Sequence, residues 1–382
     1  MTKRFLLVGS LLRPANLLEY KRAIEKRDDI TYPFYDDFDG YKETEAAAVK
    51  EVVQKQVDRQ IPEITEGEFA RSLWHLDFVW GLKGIRRYIR EEGYQFKDKD
   101  EEGVFETRRD IGLEITGPLS GKNHQFIKQF KTLKELAPDN LGIKQTIPAP
   151  AHIYGEFIFN ESNAGKIYAN DEDLRQGLIK AYKEFVKEYA EAGGKILQMD
   201  DCLWELFAED SDGGPFGGNT SDNLALAQTF VDTNNAIIDY AHELGLKVYG
   251  HNCRGNYQSR GFSSGSYEAI AHLFLEKQHY DRFYLEWDDE RAGSFKALKA
   301  FENKPETEIV IGLLSSKTRE LDDEERILEK LDEVTQYIPK DKLYLSHQCG
   351  FASCDNGNEL SEEEQWAKIE QGQAIAEKYW GE

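Results

Sequence analysis

The chain has 382 residues, and 48 Lys or Arg against 71 Asp or Glu leave a net charge of −23, with 40% hydrophobic and 12% aromatic residues. That composition belongs to a folded, enzyme-sized chain and excludes disorder, collagen and coiled coil, while the negative surplus makes small molecules the expected partners rather than nucleic acid or membrane surfaces. The apolar run Phe5–Val8 is too short for a signal segment, and no stretch of about 18 apolar residues exists. Four cysteines, at 202, 253, 349 and 354, are too few for a disulfide framework, so a reducing, cytoplasmic setting is expected.

Short apolar runs rich in branched or aromatic residues recur along the chain. They are Phe5–Val8, Pro62–Thr65, Leu113–Thr116, Ile143–Ile147, Ile196–Met199, Lys247–Tyr249, Phe283–Leu285, Ile309–Leu313 and Leu343–Leu345. Between them lie helical patterns such as Asp171–Ala192, opened by an Asp cap and closed by Gly193-Gly194, and Thr220–Leu244, closed by Gly245. Buried strands separated by crossover helices imply a parallel sheet, and about eight repeats favour a closed (β/α)8 TIM barrel over an open doubly wound sheet. The segment Gly81–Arg109, with a hairpin strand at Val104–Thr107, reads as an insertion in a single catalytic domain spanning residues 1–382, and Gly213–Gly218 as a mobile loop.

In such barrels the working residues stand just beyond the C-terminal ends of strands. Here those positions hold Gly9-Ser10, Glu66-Gly67-Glu68, Asp200-Asp201, His251-Asn252-Cys253, Glu286 and His347-Gln348-Cys349. His251 and Cys253, two apart on an extended segment, face one side. With Glu286 and Cys349 from nearby staves they make a His-Cys-Glu-Cys set, for which zinc is the best match. The alternative is that Cys253 and Cys349 are small buried hydrophobes and Glu286 a surface acid.

The same positions resemble the C-terminal catalytic half of the cobalamin-independent methionine synthase family. The resemblance runs the length of the chain through Val8-Gly9-Ser10 with Arg13-Pro14, Glu66-Gly67-Glu68, Gln198-Met199-Asp200-Asp201, Gly250-His251-Asn252-Cys253, Leu285-Glu286 and Gln348-Cys349-Gly350-Phe351. It implies a short, core-only member with the uroporphyrinogen decarboxylase/methionine synthase type of barrel. It also implies zinc held by His251, Cys253, Glu286 and Cys349, and a methyl group moved from a methylated folate to homocysteine. Homocysteine would present its amino group to Glu68 and Asp200 and its carboxylate to the Gly9-Ser10 turn. Arg13 is a further candidate for the carboxylate, a surface salt bridge being its other fate.

An amine leaving group needs an acid. Longer members carry a histidine in the loop after the strand read here as Ile309–Leu313, where this chain has Ser315-Ser316-Lys317-Thr318. His347, two residues before Cys349, and Asp201 are the replacements considered. Trp74, Trp80, Trp204 and Trp287 are candidates for stacking on a pterin, and Cys202 and Cys354 read as structural. Competing readings are a zinc methyltransferase for another thiol or donor, a metal-free barrel resembling uroporphyrinogen decarboxylase, and a binding protein with structural zinc.

Overall fold

The computed structural model describes residues 3–97, 103–208, 221–261 and 265–381, so the Gly213–Gly218 loop lies outside the described residues. In chain order the strands are β1 (Glu63–Ile64), β2 (Lys83–Tyr88), β3 (Gln95–Lys97), β4 (Val104–Glu106), β5 (Gly112–Ser120), β6 (Gly142–Pro148), β7 (Ile196–Asp200), β8 (Lys247–Asn252), β9 (Arg282–Glu286), β10 (Glu308–Leu314) and β11 (Leu343–His347). Seven of them form one parallel sheet in the order β1-β6-β7-β8-β9-β10-β11. The N-terminal segment takes the eighth place of the (β/α)8 barrel. Phe5 bridges Leu345 in parallel, and Leu6 N–H donates to Leu345 O at 2.9 Å.

On its other flank that segment has no full ladder, because β1 is only two residues long. The buried Lys144 ammonium fills the gap by donating to the carbonyls of Leu7 at 2.7 Å and Val8 at 2.8 Å. Burial lowers its pKa to about 8. Thr65 Oγ1 then ties the next turn by donating to Gly9 O at 2.7 Å.

Strand alternation decides what enters the barrel. Arg282, Tyr284 and Glu286 share one face of β9, and Tyr249 and His251 share one face of β8. At the N-terminal end Arg282 donates to both oxygens of Glu63, at 2.8 and 2.9 Å, and pairs with Glu308 at 2.6 Å. Above it Leu6, Val8, Tyr249, Tyr284 and Val310 pack as an inner cluster. The lower barrel is therefore plugged, and the chemistry has room only at the C-terminal end.

The run Leu113–Thr116 is not a stave. It belongs to β5, which pairs antiparallel with β2 outside the barrel, Leu113 opposite Arg87 and Ile115 opposite Ile85. The sequence Leu-Glu-Ile-Thr alternates, as a strand with one wet face does, whereas staves read as continuous apolar runs. With β3 and β4 pairing as a separate hairpin, strands outside the barrel extend to Ser120, past the expected end at Arg109.

The helix expected at Asp171–Ala192 forms, with Asn170 rather than an aspartate as its cap. Asp171–Glu191 is capped by Asn170, whose side chain accepts from Asp173 N–H at 2.9 Å, and it buries the stripe Leu174, Leu178, Tyr182, Phe185 and Tyr189. Among the described residues no helix is long and apolar enough to cross a membrane. His124 caps Gln125–Leu136 by accepting from Phe126 N–H at Nδ1, at 3.1 Å, while Nε2 meets Phe78 O at 2.8 Å, so the buried ring is bonded at both nitrogens only when neutral.

Burial depresses the His124 pKa to about 4, below the unfolded value near 6.5. The contribution of this neutral ring to stability is therefore whole above pH ~6.5 and fades as pH falls towards 4. The expected result is that His124→Asn, which keeps an N-cap acceptor, removes roughly 2–3 kcal/mol of the wild-type loss between pH 7 and 4.5 in urea unfolding. Equal losses in the two proteins would show that His124 does not set that slope.

Candidate active site

Beyond the C-terminal ends of the staves lies a cavity of about 190 Å³, lined in part by Ser10, Glu68, Asp200, His251, Cys253 and Cys349. Register brings His251, Cys253 and Cys349 to one cavity, whereas Glu286, at the end of β9, does not line it, and no three of the four expected ligands have their ligand atoms within 4.8 Å of one another. β7 pairs Asp200 with His251 of β8, and β8 pairs Asn252 with Leu285, the residue before Glu286. Cys349 follows the end of β11, and its thiol donates to Cys253 Sγ at 3.5 Å. All four side chains are buried.

His251 Nδ1 meets Asp200 Oδ1 at 3.0 Å, and its Nε2 is buried with no hydrogen-bond partner. Burial opposes protonation of that ring, but Asp200 and the Cys349 thiol outweigh it and lift the pKa to about 10. Glu286 accepts from Arg254 N–H at 2.9 Å and from Lys317 Nζ at 3.3 Å. Lys317, from the stretch Ser315-Ser316-Lys317-Thr318, thus stands against the Glu286 carboxylate. Cys202, read from the sequence as structural, lines the cavity, whereas Cys354 is buried outside it.

Glu68 reaches the cavity through two successive left-handed residues, Gly67 at φ +71° and Glu68 itself at φ +61°. A non-glycine residue held there carries backbone strain, a mark of positions fixed for function. Glu68 Oε1 accepts from Thr146 Oγ1 at 2.7 Å and lies 3.3 Å from the buried Arg71 guanidinium. Gly9 permits this close approach, since a Cβ there would lie 3.1 Å from Glu68 Oε1. Burial raises the Glu68 pKa, Arg71 opposes the rise, and Asp200 and Glu66 add to it.

Arg13 does not line the cavity. It is buried and donates to the carbonyls of Ala352 at 3.3 Å, Cys354 at 3.0 Å and Glu68 at 2.6 Å, which makes it a brace between the Glu68 turn and the loop after β11. Ser10 does line it, while its Oγ accepts from Ala352 N–H at 3.2 Å.

The two acids expected from the sequence lie outside. Tyr344 and Ser346 hold the inward face of β11, with Tyr344 OH on Glu308 at 3.0 Å, so His347 faces outward with Leu343 and Leu345. Its ring sits between Phe5 and Phe351, centroids 5.6 and 4.8 Å away, and burial pushes its pKa down to about 3. The parity linking it to Cys349 fails because β11 ends at His347 and Gln348 N–H turns to Leu314 O. Asp201 likewise faces away from the inward face of Asp200 and accepts from Trp204 Nε1 and Asn234 Nδ2, both at 2.9 Å.

Of the four tryptophans only Trp74 lines the cavity. Sequence reasoning missed its neighbours His75, Tyr94, Phe96, His152 and Glu156, two of which come from the β3 region treated as a bystander insertion. The detectable signal was His152-x-x-x-Glu156, two ligand-type residues one helical turn apart.

No family model matches the chain. It is 33% identical over 374 residues to the uncharacterized protein YxjH of Bacillus subtilis, covering 98% of this chain and 93% of YxjH. Among solved structures, a candidate vitamin-B12-independent methionine synthase from Listeria monocytogenes superposes with a TM-score of 0.70 at 29% identity, over 98% of this chain and 97% of that one. A B12-independent methionine synthase from Shewanella sp. W3-18-1, in complex with selenomethionine, gives 0.68 at 19% identity over 99% and 97%, a likeness of fold.

Proposed function

The chain belongs to one family with YxjH of Bacillus subtilis, and on its likeness to B12-independent methionine synthases we propose that it moves a methyl group from a methylated folate to the thiol of homocysteine, giving methionine, at a zinc site formed by His251, Cys253, Glu286 and Cys349. One observation carries this reading. Two thiols from different staves meet at 3.5 Å beside an imidazole whose buried Nε2 has no partner, at the floor of a cavity that also holds Glu68 and Asp200.

By type the donors suit the ion, two thiols, an imidazole and a carboxylate being a tetrahedral zinc set. Of the four, His251, Cys253 and Cys349 line the cavity, and Glu286 would have to turn from Arg254 N–H and Lys317 to join them. When bound, zinc supplies a preference for thiolate over thiol at neutral pH. The protein does the rest. Asp200 accepts from Nδ1–H of His251 and so leaves Nε2 as the donor atom. Glu68 and Asp200 receive the ammonium of homocysteine, Ser10 and the Gly9 turn receive its carboxylate, and Trp74, Tyr94, Phe96 and Tyr257 wall off water. The thiol gives up its proton to solvent, and its sulfur lone pair forms the new S–C bond as the donor's C–N bond breaks. The nitrogen keeps that electron pair and takes up one proton from solvent, which balances the one released.

The position of His347 and Asp201 outside the cavity favours, as a second reading, a donor whose leaving group needs no proton, such as a methylsulfonium or methylcobalt species. Methionine formation from homocysteine with each donor class, alongside the zinc content of the purified protein, separates the readings. Formation of no methionine from any of them overturns the reaction, and a folded, fully active protein without zinc overturns the metal.

His347→Phe is expected to leave turnover within about threefold of wild type, far from the 10²–10⁴ loss that removal of a general acid brings. It replaces a buried ring whose Nε2 has no partner by one that suits the Phe5 and Phe351 edges. A fall of a hundredfold in kcat with unchanged stability would return His347 to the chemistry.

A further inference from the structure

At the far side of the same cavity three ligand-type residues converge that the reaction above does not use. His75 stands just before the short helix Leu76–Trp80, and His152 and Glu156 lie one turn apart on Pro150–Phe159. The segments that carry them follow β1 and β6, which are neighbours in the sheet. One ligand atom from each lies within 4.8 Å of the others, the one such group found among the described residues. Nε2 of His75 is 3.8 Å and Nε2 of His152 3.9 Å from Glu156 Oε1.

We propose that His75, His152 and Glu156 form a second metal site, for a first-row divalent ion of the zinc type, separate from the thiol set. Two imidazoles and a carboxylate on one ion are a recurrent open set, with the remaining positions left to water or substrate. Ligands 2.0–2.1 Å from an ion stand roughly 3–3.4 Å apart, so the trio closes on one by side-chain shifts of under an ångström. Tyr94 OH, 3.3 Å from both His75 Nε2 and Glu156 Oε1, holds two of the three in place.

The burial of the trio points the same way. His152 is 8% exposed, yet among the described residues neither ring nitrogen makes a hydrogen bond, Nδ1 having no partner and Nε2 only the 3.9 Å approach to Glu156. Trp74 backs both rings, its centroid 4.6 Å from His75 and 4.9 Å from His152, and fixes their planes.

Zinc binding to the metal-stripped protein tests this without reference to methyl transfer. In a Cys253→Ser/Cys349→Ser background, which removes the thiol set, calorimetric titration with Zn2+ should still find one equivalent. Adding His152→Ala or Glu156→Gln should weaken it by more than the roughly 10–100-fold that loss of an outer-shell partner brings. Co2+ at this site should show no thiolate charge-transfer absorption. Glu156→Gln preserves shape, so it decides the matter if His152→Ala fails to fold. No zinc uptake in the double-serine background, or uptake indifferent to Glu156→Gln, would overturn the second site while leaving the thiol site to be judged by its own variants.

Discussion

Cys253→Ala and Cys349→Ala are each expected to lose most of the bound zinc and nearly all methyl transfer while the barrel stays folded. Two thiolates and one carboxylate around Zn2+ leave a net charge of −1, and deleting one thiolate makes the site neutral. That lowers both the hold on the ion and the electron density on an incoming sulfur. The loss should exceed the roughly 10–100-fold typical of an outer-shell partner. Stability should change little more than for loss of a small buried group, because both cysteines lie past the last residues of β8 and β11 and carry no ladder bonds within those strands. Zinc analysis beside thermal unfolding separates the two effects. Cys354→Ala is the control, since that thiol is buried outside the cavity. Full zinc occupancy in Cys349→Ala would shift the assignment to Cys202, which lines the same cavity.

The inward facing of His251 and Glu286, two of the four candidate ligands, was legible in the sequence because period-two alternation is rigid inside a strand. Tyr249 facing inward makes His251 face inward, and Arg282 does the same for Glu286. Legibility stopped where strands end. His347 and Cys349 share a parity on paper, but β11 stops between them, and the outward run Leu343, Leu345, His347 is the pattern that holds. Leu113–Thr116 was misplaced for a related reason, since its apolar content resembled a stave while its alternation belonged to a half-exposed hairpin strand. Cys202, Trp74, His75 and Tyr94 come from loops, and His152 and Glu156 from a helix, and their convergence depends on how those segments return over the barrel mouth. Arg13 shows the limit of residue type as a guide. A guanidinium next to a candidate carboxylate site looks like a ligand, and three backbone carbonyls absorb it.

Glu68→Gln is expected to weaken homocysteine binding by roughly ten- to hundredfold and to leave zinc content unchanged. Losing one charge-assisted hydrogen bond in a buried site costs about 1.5–3 kcal/mol, which is that range in affinity. The local charge balance explains why the ammonium matters. Glu66 and Glu68 pair with the buried Arg71 guanidinium, Asp200 adds a further carboxylate, and a cationic substrate group joins this acidic set. Gln keeps an oxygen for Thr146 Oγ1, so the turn should hold its shape. Asp200→Asn should be the less clean variant, because Asp200 Oδ1 also receives His251 Nδ1 and the substitution weakens the ligand's outer shell together with the ammonium contact. The decisive comparison is therefore between homocysteine and its analogue lacking the amino group. Glu68→Gln should bind the analogue as wild type does and homocysteine worse, and an equal loss for both would mean that the amino group lies elsewhere in the cavity and that Glu68 serves only to anchor Arg71.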